Sequence, residues 1–192
     1  MTNEPRHIPV MPAEVEGALD LKAGAVAVDG TLGLGGHAAM MAARIGAQGH
    51  LIGIDQDSCA IELARLRLKD FPGRLDIVKS NFSRLDEVLG GLGVGEVDAV
   101  LFDLGVSSLQ LDDPARGFSF RADGPLDMRM DPDAQAVTAE GLVNELPEKD
   151  LADMIFHYGE ELFSRRIAQR IVAARAGQRI RTTAELADIV LR

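Results

Sequence analysis

Three aspartates stand where short apolar runs end. Ala25-Val26-Ala27-Val28 runs into Asp29, Leu51-Ile52-Gly53-Ile54 into Asp55, and Val97 to Phe102 into Asp103. A carboxylate in such a place can accept hydrogen bonds from a ligand's hydroxyl or amino groups, or attract a cation. The first is followed by Gly30-Thr31-Leu32-Gly33-Leu34-Gly35-Gly36-His37. Glycines there let the backbone turn tightly and come close to a ligand, and a helix opening after them offers free N–H groups. Asp55 falls 20 residues after Gly35, the separation at which an acid takes the hydroxyls of an adenosine ribose. The glycine run alone is ambiguous. Gly33-x-Gly35-x-x-Ala38 also satisfies the dinucleotide pattern, so a nicotinamide cofactor stays open. Asp29 tips the balance, because it would repel a pyrophosphate and attract the ammonium and sulfonium of S-adenosylmethionine. The plainer reading makes Asp29 and Asp55 turn or cap residues.

The elements that must hold these residues follow from the pattern around them. Each apolar run, with Leu75 to Val78 as a fourth, is bounded by glycine or charge and is too short for a helix. Such runs read as strands buried on both faces. Between and before them, Met11–Leu21, His37–Ile45, Ser58–Phe71 and Phe82–Leu89 read as helices. Asp57 is the expected N-cap of the third. Alternating strand and helix predicts right-handed crossovers and a parallel sheet with helices on both faces. Ligands bind such a sheet beyond the carboxyl ends of its strands, which is where all three aspartates fall.

After Asp103 the rhythm stops. Gln110 to Asp133 is rich in Asp, Gly and Pro and reads as a long loop, a length uncommon without a function. Helices are expected from Thr138 and Pro147 to about Tyr158, over Leu162–Arg175, and after the capping box Thr182-Thr183-Ala184-Glu185. The expected division is 1–112 for a cofactor-binding sheet domain and 113–192 for a loop and helical substrate-recognition region. Asp103-Leu104-Gly105-Val106-Ser107-Ser108 follows the fourth strand, where amino-group methyltransferases face their acceptor nitrogen; serines capping a helix are the plainer reading. His7, His50 and His157 have no partners in helical register and read as surface or packing residues. Met40-Met41 and Met128 to Met130 read as packing. Phe118 and Phe120 alternate like a strand or stacking platform, with a hydrophobic plug for the loop as the favoured role.

Composition narrows the class. At 192 residues and 46% hydrophobic, the chain has enough apolar content for a core, which excludes a disordered protein. No apolar run reaches the roughly 18–20 residues of a membrane span, and the N-terminus has no signal-peptide core. The single cysteine, Cys59, cannot form an internal disulfide, and no Cys/His cluster has zinc spacing. A cytoplasmic protein with no metal is expected. The net charge of −10 argues against general nucleic-acid binding. Yet Arg165 to Arg192 holds seven arginines against Glu185 and Asp188, a balance of +5, on a body of −15. That tail suits phosphate contact or a solvated helix face equally.

The longer motifs are more specific. His7-x-Pro9-Val10, Asp29-Gly30-Thr31-x-Gly33-x-Gly35-Gly36-His37 and Asp103-Leu104-Gly105-Val106-Ser107-Ser108-x-Gln110-Leu111-Asp112 occur in order. Arg116-Gly117-Phe118-Ser119-Phe120, then Asp123 to Asp131, then Tyr158-Gly159-Glu160-Glu161 follow. Together they closely resemble the bacterial small-subunit ribosomal RNA cytosine-N4 methyltransferase family, the MraW family, over nearly the whole chain. The resemblance implies a Rossmann-like class I methyltransferase sheet with an all-helical insertion domain. It implies S-adenosylmethionine contacts from Gly35, Gly36 and His37, a ribose contact from Asp55, and an adenine contact from Phe82. Asp103 and Gln110 line the cofactor site by the same resemblance. Family members continue into further strands and a His-Ser-Leu-Glu-Asp segment, so the chain is expected to stop within the helical insertion, with an incomplete sheet.

The implied activity is methylation of the exocyclic N4 of a cytosine in small-subunit (16S) ribosomal RNA, free or in the 30S particle. No catalytic residue is singled out. RNA contact is expected from the loop Asp112–Asp131 and the arginine-rich segment Arg165–Arg181. The alternatives are a methyltransferase acting on a small molecule or protein, an NAD-binding oxidoreductase, and a chain that binds without turnover.

Overall fold

A computed structural model describes residues 9–192; His7 lies outside them. The chain separates into two compact units, with the boundary between Gly105 and Val106. In the first, α1 (Pro12–Leu19) precedes β1 (Val26–Asp29), α2 (Gly36–Ile45), β2 (His50–Asp55) and α3 (Ser58–Leu68). Then come β3 (Arg74–Lys79), a 3-10 turn at Phe82–Arg84, α4 (Leu85–Gly91) and β4 (Ala99–Leu101). All pairings are parallel and the order is β3-β2-β1-β4. That is the first part of the Rossmann strand order, so the unit is Rossmann-like α/β, as the alternation of elements predicts.

Strand alternation builds two cores. Ala27 and its register partner Leu51 face α2 and α3, where they join Ala38, Met41, Ile45, Ala64 and Leu68. Val28 and Ile52, one residue on, face the opposite side and pack with Leu85, Val88 and Leu89 of α4. Leu51, Ile52 and Ile54 are fully buried, and each contributes about 1.5–3 kcal/mol by leaving water. Burial on both faces holds only for the central pair, β1 and β2. The outer strands of the described sheet, β3 and β4, are half-buried through their middles. His50 packs within this unit and bonds to Asp76 Oδ2 at 2.7 Å. Asp57 caps α3 as expected, accepting the Cys59 N–H at 3.0 Å.

The second unit is helical. It holds α5 (Ser108–Asp112), a 3-10 turn at Pro114–Arg116, α6 (Ala139–Glu145), α7 (Glu148–Gly159), α8 (Ser164–Gly177) and α9 (Thr183–Leu191). Its core is wholly aliphatic: Leu126, Val143, Leu151, Ala152, Ala168, Ile171 and Ile180. Asn144 clips α6 to the segment before α9, donating to the Ile180 carbonyl at 2.7 Å and accepting the Ile180 N–H at 2.9 Å. The capping box at Thr182 is present, with Glu185 returning bonds to the Thr182 and Arg181 N–H groups. Thr182→Ala is expected to cost about 1 kcal/mol, read as a lowered urea midpoint at unchanged slope.

Two expectations are corrected here. The segment Gln110–Asp133 is not a plain loop: it begins within α5 and contains the 3-10 turn, and its remainder makes long-range backbone bonds. Phe118 is half-buried, but Phe120 is 77% exposed and lies in no strand, so it plugs nothing. No helix among the described residues is long and apolar enough to cross a membrane.

Candidate functional site

The carboxyl ends of β1, β2 and β4 bring Asp29, Asp55 and Asp103 to one end of the first unit. Gly33 (φ +49°) and Gly35 (φ +73°) adopt left-handed conformations that favour glycine, and they let the chain turn from β1 into α2. Leu32 N–H donates to the Ile54 carbonyl at 2.9 Å, and Gly33 N–H to Asp55 Oδ2 at 2.7 Å. Asp55 Oδ1 accepts the Asp57 N–H at 2.9 Å. The Asp55 carboxylate therefore ties the glycine loop to β2. Each oxygen still has a second lone pair, and the residue is partly exposed.

Asp29 is the unusual member. It is 1% exposed; Oδ1 accepts the Thr31 N–H at 3.2 Å, while Oδ2 is buried without a partner. Burial pushes its carboxyl up to about 7, against the pull of the Thr31 and Ala38 N–H groups, and the negative charges of Asp55 and Asp103 add to the rise. His37, in the first turn of α2, is also buried, and its Nδ1 has no partner. Its Nε2 lies 3.6 Å from Asp103 Oδ2, beyond hydrogen-bond reach. Buried polar atoms left unpaired cost about 1–3 kcal/mol each, and two of them beside one glycine turn mark a place shaped for a polar ligand. Three carboxylates at that turn suit a cation and oppose a pyrophosphate.

Of the residues singled out in sequence, Gly35, Gly36, His37, Asp55, Phe82 and Asp103 all lie at this end of the first unit. Asp103 is half exposed on its side chain, and its backbone N–H donates to Thr31 Oγ1 at 2.7 Å. Phe82 opens the turn after β3 and meets Phe102, with ring centroids 5.4 Å apart and planes tilted by 58°. Gln110 belongs to the second unit, where it is buried and its Oε1 accepts the Ser107 N–H at 3.0 Å. This is the reciprocal half of a capping box on α5, so the plainer reading of the serines, as helix caps, holds for Ser107.

Two contributors escape sequence reasoning. Thr31, the one hydroxyl in the glycine run, pins the start of the Asp103 segment to the loop after β1. Phe102 places its ring edge over Gly30, where a Cβ would stand 2.3 Å from Phe102 Cε1. The signal for Thr31 was its place between glycines; Phe102 gave none beyond being the last apolar residue of its run.

Residues 4–192 match the family described as the MraW methylase family. "Ribosomal RNA small subunit methyltransferase H" of Brevibacillus brevis is 47% identical over 96% of this chain and 58% of its own length. The protein of the same name from Streptococcus mutans is 45% identical over 99% of this chain and 60% of its own. An rRNA methylase structure from Streptococcus thermophilus covers 49% of this chain and 55% of its own, at 19% identity and TM-score 0.41. The chain thus spans about 58–60% of the length of these curated relatives. On the family match along nearly its whole length, this chain belongs to the MraW methylase family.

Proposed function

We propose that this chain carries the S-adenosylmethionine site of a small-subunit ribosomal RNA methyltransferase whose acceptor is the exocyclic N4 of a cytosine. The observation that carries the cofactor assignment is the buried, unpartnered Asp29 Oδ2 beside the left-handed glycine turn. The printed names of the relatives support the rRNA substrate. In this reading Gly35, Gly36 and His37 surround the methionine part, Asp55 takes the ribose hydroxyls on its free lone pairs, and Phe82 lies against the adenine. Gln110 is carried over from the family resemblance alone.

The cofactor supplies an electrophilic methyl group. The exocyclic amine is a weak nucleophile, because its lone pair is delocalised into the ring. Asp103, half exposed at the end of β4, accepts an N–H of that amine, which holds the nitrogen in line and turns it towards tetrahedral geometry. The carbonyls of Leu104 to Ser107 are the other acceptors within the same motif. Orientation of this kind can supply up to about 7–11 kcal/mol of barrier reduction. The methylated amine is acidic enough to lose its proton to water, so no strong base is assigned. A base in a folded RNA must be splayed from its stack to reach the site.

The test is calorimetric titration with S-adenosylhomocysteine, with NAD as the competing ligand and Asp55→Asn as the site variant. Asn keeps one acceptor for the glycine loop, where Ala would leave both the Gly33 and Asp57 N–H groups unpaired. Saturable binding, absent for NAD and weakened about tenfold or more in a still-folded Asp55→Asn chain, is expected from the loss of a charge-assisted bond of about 1.5–3 kcal/mol. Binding of NAD in preference would overturn the cofactor assignment. Nucleoside analysis of treated small-subunit particles tests the acceptor: a methyl group on any atom but N4 of cytosine would overturn that part.

A further inference from the structure

Asp103 is placed by two neighbours from the turn that follows β1. The β1–β4 ladder closes with the Gly30 N–H on the Leu101 carbonyl at 2.9 Å. Two residues on, where the chain leaves the sheet, the Asp103 N–H goes to a side chain instead, Thr31 Oγ1 at 2.7 Å. Thr31 is itself held, since its N–H donates to Oδ1 of the buried Asp29 at 3.2 Å. Its branched Cβ restricts χ1, so the hydroxyl is presented in few directions. The Asp103 carboxylate has Oδ2 3.6 Å from Nε2 of His37, which is buried in the first turn of α2.

A carboxylate that must meet a weakly nucleophilic amine works only over a narrow range of positions. Supporting groups have to hold such a residue to within about 0.5 Å, and a misplacement of about 1 Å can cost about a hundredfold in rate. With its backbone N–H fixed, Asp103 moves its carboxylate only through its own side-chain torsions. A threonine in a turn can satisfy its hydroxyl on the backbone beside it. Thr31 instead reaches a residue 72 positions along the chain. Backbone pairing of β1 with β4 already secures the sheet at this point, so what the hydroxyl adds is the placement of Asp103.

We propose that Thr31 is a positioning residue for methyl transfer: its hydroxyl oxygen fixes the Asp103 backbone, so that the carboxylate stands beside His37 and meets an N–H of the acceptor amine. The proposal rests on the role given to Asp103 above and names the residue that sets it. In this role Thr31 acts on the reaction only through Asp103. It ties the turn that surrounds the cofactor to the residue that receives the acceptor, so the two reacting partners are placed against one rigid reference, the end of β1.

The test compares Thr31→Val with Thr31→Ser in the full 192-residue chain. Valine keeps the branched Cβ and removes the acceptor, while serine keeps the acceptor. Without ligand, hydrogen exchange at the Asp103 amide and the nitrogen NMR signals of the His37 ring report the tether. In Thr31→Val the amide loses protection and the Nε2 signal moves; in Thr31→Ser both stay as in the parent. The Gly33 and Asp57 amides, which Asp55 holds, keep their protection in both variants. Single-turnover transfer to unmethylated small-subunit particles is then measured at saturating S-adenosylmethionine. Thr31→Val is expected to lower that rate about tenfold or more, with S-adenosylhomocysteine affinity unchanged, and Thr31→Ser to restore most of it. In an Asp103→Asn background the valine change adds little further loss, because both act through one carboxylate. Unmoved Asp103 and His37 signals would overturn the proposal, as would additive losses in the double variant or a rate that valine leaves alone. Loss of Gly33 protection and of S-adenosylhomocysteine affinity in step with the rate would overturn it too, by making Thr31 a prop of the glycine turn. A parent that binds S-adenosylhomocysteine but transfers no methyl group would leave Asp103 no amine to meet, overturning the proposal while the cofactor assignment stands. Transfer to another atom, with the rate still set by Thr31, would support the tether and overturn only the N4 acceptor.

Discussion

Asp29→Asn is expected to stabilise the ligand-free chain above neutral pH and to weaken S-adenosylhomocysteine binding at the same time. Folded, Asp29 keeps its proton up to about 7, chiefly because burial disfavours the carboxylate. Unfolded, it ionises at the ordinary value of 3.8. Between these pH values the folded state binds the extra proton, so the stability tied to Asp29 is fully present below about pH 4, falls as pH rises, and is gone above about pH 7. The limiting slope for one group is about 1.4 kcal/mol per pH unit. Asparagine cannot ionise, so the variant loses this slope, and at about pH 8 it gains on the order of a few kcal/mol over the parent. Urea unfolding of both chains across that range measures the difference. Parallel stability curves would show that Asp29 does not titrate as its burial implies.

Binding should move the other way. A cationic ligand group beside Asp29 favours its carboxylate, so complex formation below about pH 7 releases a proton. Affinity for S-adenosylhomocysteine should therefore rise with pH in the parent and lose that dependence in Asp29→Asn, with a drop of about tenfold or more at alkaline pH. A residue that weakens the empty fold and strengthens the filled one is what ligand-binding pressure on a buried acid would leave. An Asp29 with a merely structural role would show neither the proton release nor the loss of affinity.

How much of this was legible depends on the range of the interactions involved. β1, β2 and the acids at their ends can be read directly, because apolar runs, glycines and a carboxylate are neighbours in the chain. The caps at Asp57, Thr138 and Thr182 are equally local. The role of Phe102 is not, since it depends on β4 pairing beside β1 with Leu101 opposite Asp29, which brings the ring onto Gly30. The unpartnered Oδ2 of Asp29 is invisible for the same reason. A sequence shows that an acid is present, but its solitude depends on what surrounds it in space. Gln110 entered only by resemblance, although Ser107-x-x-Gln110 has the form of a capping box and its cap geometry is now visible.

The segment after Gly117 is where local reading failed most, and there the largest loss of stability is expected. Gly117→Ala should cost about 3–5 kcal/mol, combining the left-handed penalty on a residue at φ +73° with a clash in a packed site. A Cβ at Gly117 would stand 2.2 Å from the Pro125 carbonyl oxygen and 2.8 Å from the Asp127 nitrogen. The fit is reciprocal: a Cβ at Gly124 would stand 2.0 Å from the Pro114 carbonyl oxygen. These are backbone atoms, so no side chain can swing aside. The strap they press against holds the unit together. Leu126 N–H donates to Arg181 and Met128 N–H to Arg116, while the Leu126 and Asp127 carbonyls accept from Glu140 and Ala139 at the start of α6. Gly124 likewise exchanges bonds with Thr183 at the start of α9. Forcing Pro125 away from Gly117 should therefore release the entries of α6 and α9 together. Hydrogen exchange should show amides at 126, 128, 139, 140 and 183 losing protection in Gly117→Ala, while those of β1 and β2 keep theirs. Unchanged protection at those five amides would mean that the strap does not hold the helical unit.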